Sequence, residues 1–174
     1  MIGGLAHFIR AIAAFALLGA PFFATSRASA ATGSAASTAM LVAPLSVVKT
    51  NDLDFGDLVA SATAGTATIN ASTDARTTAS GVTPAGGTPK AAHFSAAGQV
   101  GAIALIALPA SIALTRNGGT ETMTVSSISS NGATLRLIPA AATIDVAVGG
   151  TLNVAANQVE GAYAGTFAIN ILYF

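Results

Sequence analysis

The chain has 174 residues, of which 8% are charged and 6% aromatic, and it contains no Cys and no Trp, so it reads as one domain without disulfides, thiol chemistry or cysteine-built zinc sites. Beyond the first thirty residues, five cations (Lys49, Arg76, Lys90, Arg116 and Arg136) stand against seven acids (Asp52, Asp54, Asp57, Asp74, Glu121, Asp145 and Glu160). Scattered in this way they offer no basic face for nucleic acid, and they are too few to draw the polar stripe of a long amphipathic helix.

The first element is an address. Arg10 is the only fixed charge of Met1–Arg10, Ala11–Phe23 is a 13-residue apolar run, and Ala28-Ser29-Ala30 offers a small-x-small cleavage site. That is the tripartite secretory pattern, and the run is too short to span a bilayer as a helix. Residues 1–30 are therefore expected to be a signal peptide, the mature chain to begin at Ala31, and the protein to be exported. Residues 31–39 (ATGSAASTA) are small and polar, without a large apolar residue to hold them to a core, and are expected to form a flexible extension of a domain covering 40–174.

From there on, short runs of Val, Ile, Thr, Leu and Phe recur between Gly, Asn and Pro clusters. Strands are expected at Leu41–Lys49, Leu53–Val59, Thr66–Asn70, Ala91–Ala96, Ala102–Leu108, Ser111–Thr115, Glu121–Ile128, Thr134–Ile138, Thr143–Val148, Thr151–Ala155 and Tyr163–Phe174. Asp74–Pro89 reads as a long polar loop. Gly101–Leu114 is apolar but short and interrupted by Pro109, which favours two strands over a membrane span. Gly149-Gly150 between two strand-like runs is the strongest hairpin signal. Many short strands with turns at this spacing define an all-β sandwich. In Met123-Thr124-Val125-Ser126 and Leu135-Arg136-Leu137 the apolar residues take every second place, and Thr and Ser supply most of the wet face.

Few residues suggest chemistry. Asp52, Asp54 and Asp57 cluster, but no bidentate Glu closes a calcium ligand set, and their alternation with Leu53 and Phe55 fits a strand with a wet face. His93 is the only mature histidine, and without a nucleophile elbow it carries no triad. Asn70-Ala71-Ser72 matches the short glycosylation pattern. An enzyme is not expected, nor a cofactor, metal or small-molecule substrate. An outer-membrane barrel would need longer strands and aromatic girdles.

The C-terminal strand is the most informative. Tyr163, Gly165, Phe167, Ile169, Ile171 and Tyr173 share one face of a strand that ends with the chain, so its neighbour must come from earlier sequence or from another molecule. Gly161, Tyr163, Thr166, Ile169, Ile171 and Tyr173 follow the ending of chaperone–usher pilins of the archaic, spore-coat-U-like type, with Gly fourteenth from the end and Tyr penultimate. From about Leu41 the chain also resembles a family of small secreted Gram-negative proteins of unknown function that open with a segment like Pro44–Gly56.

The resemblance implies an immunoglobulin-like (pilin-like) sandwich, incomplete and completed by a donor strand, acting as a structural subunit of a surface fibre. It implies a periplasmic chaperone, an outer-membrane usher and neighbouring subunits as partners, with Gly161, Tyr163, Phe167, Ile169, Ile171 and Tyr173 along the assembly groove. Strand addition would supply the attraction through backbone hydrogen bonds, and alternate side chains would fix the register. The chain departs from many pilins in lacking Cys and in the small residues of 31–39. Leu41, Ala43, Leu45 and Val47 alternate correctly for a donor strand, which would start the core near Leu53. Alternatively that segment pairs within its own subunit, and the domain is a self-complete secreted β-sandwich with a binding or matrix role.

Overall fold

β-Branched residues in short alternating runs commit the chain to pleated segments. The computed structural model describes residues 36–174, and residues 40–174 form one compact unit. The strands are β1 (Ser46–Asn51), β2 (Asp57–Ile69), β3 (Arg76–Gly86), β4 (Ala92–Ala97), β5 (Ile103–Ala107) and β6 (Ile112–Arg116). They continue with β7 (Thr122–Ser130), β8 (Leu135–Leu137), β9 (Thr143–Val154), β10 (Tyr163–Ala164) and β11 (Asn170–Tyr173). The signal peptide read over 1–30, and residues 31–35 of the extension, lie outside the described residues.

All pairings are antiparallel. The larger sheet runs β1-β4-β9-β7-β6-β10, with β2 also against β9 and β3 against β2; the smaller runs β11-β5-β8. Strand β9 organises the larger sheet. Val148 stands between Ala92 and Ser130, and Thr151 between Thr68 and Ser126, so β4 and β2 share one edge of β9 while β7 takes the other.

Alternation puts one apolar face of each sheet inward. One buried group joins Phe55, Ile69, Ile112, Val125 and Leu152; a second joins Phe94, Ile106, Val146 and Val148. Phe167 packs against both. No polar or charged side chain among the described residues is buried. The result is an all-β fold with a curled, incomplete antiparallel sheet, consistent with an immunoglobulin-like or pilin-like sandwich.

Strands β4 to β8 fall within two residues of the expected runs. Five expectations are corrected. Leu53–Val59 and Thr66–Asn70, expected as two strands, are one, β2, which begins at Asp57. Gly149-Gly150 is no hairpin: both residues lie buried inside β9. A Cβ on Gly149 would collide with the Ile69 carbonyl, and one on Gly150 would stand 2.8 Å from Val125 Cγ1, so these glycines permit close approach rather than reversal. Most of the expected Asp74–Pro89 loop is β3, hydrogen-bonded along β2. Its turn is built by Asn70, whose Oδ1 accepts the Ser72 and Thr73 N–H groups (2.8 and 3.2 Å), and by Asp74 at φ 59°.

The N-terminal strand starts at Ser46 rather than Leu41, and residues 36–45 carry no regular secondary structure. Tyr163–Phe174, expected as one strand, is two: β10 joins the larger sheet, β11 the smaller, and the chain crosses between them. Its alternation survives, with Tyr163, Phe167, Ile169, Ile171 and Tyr173 half-buried and their neighbours exposed.

Candidate functional site

A cleft of about 1050 Å³ opens between two edges of the sandwich. One wall is the segment from the end of β1 through the start of β2, Lys49 to Ala60; the other is Gln158–Phe167. Core residues including Phe94, Ile112, Val125, Leu152 and Val154 form the floor. The cleft is therefore a gap in the side of the hydrophobic interior. Of the strands bordering it, β1 pairs only with β4 and β10 only with β6. Their other edges present backbone donors and acceptors that a further strand could use.

Local chemistry fixes the C-terminal wall. Gly161 has φ +142°, a conformation that side-chain-bearing residues rarely adopt, and a Cβ there would lie 3.0 Å from Arg116 Cδ. Arg116 is held by Glu121 (Nε to Oε2, 2.7 Å), which keeps that carboxyl below its ordinary range. The Asn117 N–H donates to the Ala162 carbonyl (2.8 Å), and the Tyr163 hydroxyl donates to the Val159 carbonyl (2.7 Å) while accepting from Gln158 (2.7 Å). Gly165 comes so close to the Ala113 carbonyl that any side chain would collide with it. Phe167 then turns inward, its ring edge-on to Phe94 at 6.1 Å and 77°.

The structure divides the predicted groove residues. Gly161, Tyr163 and Phe167 line the cleft, whereas Ile169 and Ile171 pack onto the core beyond the end of its C-terminal wall. At that end the Tyr173 hydroxyl donates to the Ala43 carbonyl, and Leu45 packs beside Gly98 near the Tyr173 ring. Of the alternative donor residues, Leu41 is fully exposed, Ala43 and Leu45 meet this end, and Val47 lies in β1 opposite Ala96. The segment from Ser46 thus pairs within its own subunit, and the cleft remains open beside it.

Sequence reasoning missed the N-terminal wall as part of a site, having read the Asp52–Asp57 cluster for calcium or a wet strand face. Asp52 pairs with Lys49 Nζ (2.5 Å), and Asp54 accepts the Gly56 N–H (2.7 Å) where Gly56 turns at φ +65°. Phe55 is buried, and Arg76 Nη1 pins the wall by donating to the carbonyls of Phe55 (2.6 Å), Asp57 (3.1 Å) and Gly86 (3.2 Å). The signal was Phe55 itself, a core anchor among polar residues.

His93 lies elsewhere, between the carboxylates of Asp74 (3.1 Å) and Asp145 (3.5 Å). Asp74 also accepts the Ala91 N–H (2.9 Å); these bonds, His93 first, hold its carboxyl below the ordinary Asp range. The trio ties the β2–β3 turn to β4 and β9. Among the described residues no group of three or more His, Cys, Asp or Glu side chains is placed to hold a metal ion.

An all-β domain with a gap between strand edges, floored by core side chains, is consistent with a structural, non-enzymatic protein. The chain belongs to the family described as a domain of unknown function, DUF4402, which matches residues 45–173. No curated protein and no solved structure matches it.

Proposed function

We propose that this protein is a structural subunit of a surface fibre, exported through its N-terminal signal and assembled by strand addition into the cleft. The observation that carries this reading is the 1050 Å³ gap between strand edges that are paired on one side only, floored by core side chains. Left empty, such a gap wets apolar surface and leaves backbone groups for any passing strand, an aggregation hazard. A seated strand would supply ladder hydrogen bonds and place every second side chain on Phe94, Val125 and Leu152. In the assembly pathway a periplasmic chaperone fills the cleft first, an outer-membrane usher catalyses exchange, and the N-terminal extension of the next subunit replaces the chaperone. Because Ser46–Asn51 is already engaged with β4, the donor is the stretch ending near Val42, where Met40, Leu41 and Val42 are exposed.

The test is a second copy of residues 31–45 fused after Phe174 through a flexible linker. The fused chain should form no open-ended polymer and should show a markedly raised unfolding midpoint, while the unfused chain should be the more aggregation-prone of the two. A cooperatively unfolding monomer obtained alone, indifferent to the added segment, would refute the reading.

A further inference from the structure

The smaller sheet has an outer face that the cleft does not use. Pairing places Phe174, Ile103 and Leu137 in one cross-strand row, and Leu172, Leu105 and Leu135 in the next. Partners opposite one another in an antiparallel pair point to the same side, so the six form one two-row patch. Their inner-facing neighbours, Ala104 and Ile106, are buried in the core. Outside, Phe174 is 77% exposed, Leu137 64%, Leu135 57%, Leu172 53% and Ile103 45%. No charged side chain interrupts the patch. Arg136, the one charged residue of these three strands, is on the inner side, donating to the carbonyls of Ala133 (2.9 Å) and Asp145 (2.8 Å).

These six apolar residues, Leu105 among them half-exposed, expose on the order of 500 Å², the size of the largest patch on a typical monomer, which is often functional. We infer that this face is an isologous interface with a second copy of the chain, the two small sheets stacking face to face. Doubled, the patch gives roughly 1,000 Å², the lower bound for a specific protein–protein contact. A sheet face without charged side chains is complementary to itself, since stacking sheets interdigitate side chains without like-charge side chains opposed. It offers nothing to an anionic lipid surface, which is held by clustered Lys and Arg. The inference does not rest on the fibre reading: strand addition is head-to-tail and open-ended, whereas this contact closes as a pair.

The absence of Cys from the sequence makes the test clean. Single Leu137→Cys and Ile103→Cys chains, and Thr124→Cys on the exposed side of β7 as control, are oxidised at increasing concentration and sized under denaturing conditions. The first two should give a covalent dimer and nothing larger, at least tenfold faster than the control. Sedimentation should show a wild-type dimer dissociating in the micromolar range, about that expected for a contact of this size. Leu135→Asn/Leu137→Asn should weaken it tenfold or more with an unchanged unfolding midpoint; if that variant fails to fold, the cysteine chains decide alone. Cross-linking no faster than the control overturns the inference, as does self-association in sedimentation that the double variant leaves untouched, which would place association in the cleft. Monomers whose Leu137→Cys thiol is shielded from maleimide would show the chain's own N-terminal segment on the face, and overturn it too.

Discussion

Phe167→Ala offers a direct measure of whether the cleft is a missing part of the interior. The ring is half-buried, touches both groups of core residues and meets Phe94 edge-on. Burying a whole Phe side chain contributes about 3 kcal/mol, so a half-covered ring contributes ~1.5 kcal/mol. The aromatic pair adds ~1 kcal/mol, giving a loss of ~2.5 kcal/mol for the open subunit. With a strand seated in the cleft the same ring is enclosed, and truncation leaves a cavity, so the loss should rise to ~4 kcal/mol. Urea unfolding of wild type and variant, each as the free chain and with residues 31–45 fused after Phe174, gives the two losses from four curves. Equal losses in the two forms would refute the reasoning, because the seated strand would then not be covering Phe167.

Three further outcomes follow from the geometry. Gly149→Ala should cost about 3 kcal/mol in denaturant unfolding, since the new methyl meets the Ile69 carbonyl in the most constrained strand; a loss under ~1 kcal/mol would mean β2 can shift freely. Arg76→Gln removes the donor shared by three carbonyls at the N-terminal wall and should lower stability by ~1–2 kcal/mol, with faster amide exchange at Gly56–Leu58 than at β7. Asp74 has its carboxyl pKa depressed in the folded state, so its contribution is present above the ordinary Asp range and is lost as pH falls through the depressed value. Wild type should therefore lose thermal stability more steeply than Asp74→Asn as pH falls below the ordinary Asp range, and parallel midpoint curves would exclude the trio as a source of stability.

The sequence was legible where burial is one-sided. Period-two alternation located β4 to β8, and it placed Tyr163, Phe167, Ile169, Ile171 and Tyr173 on a single face even though their strand changes sheets midway. Alternation reports which side of a strand is covered but not by what, so it could not show that Tyr163 and Phe167 border a gap while Ile169 and Ile171 are already packed. Glycine misled for the same reason. Gly149-Gly150 has the composition of a turn, and only the crossing of β2 and β7 over β9 reveals that the requirement there is space. The N-terminal wall was hidden because its members serve different ends: Asp52 and Asp54 pair locally, Phe55 fills the core, and the wall exists only once β2 lies beside β9. Polar content made Asp74–Pro89 look like a loop, although Thr77, Thr78 and Ala79 pair in register with β2.

The position of β9 also dictates a timetable. Its partners begin as far back as Gly65, about ninety residues before Val154, and none adjoins it in the chain. A polypeptide emerging from its N-terminus can form the β2–β3 hairpin early, but it has no central strand to lay that hairpin on until nearly the whole length has been released. High sequence separation of this kind slows folding, so the emerging chain stays open and becomes rigid only once β9 has been released.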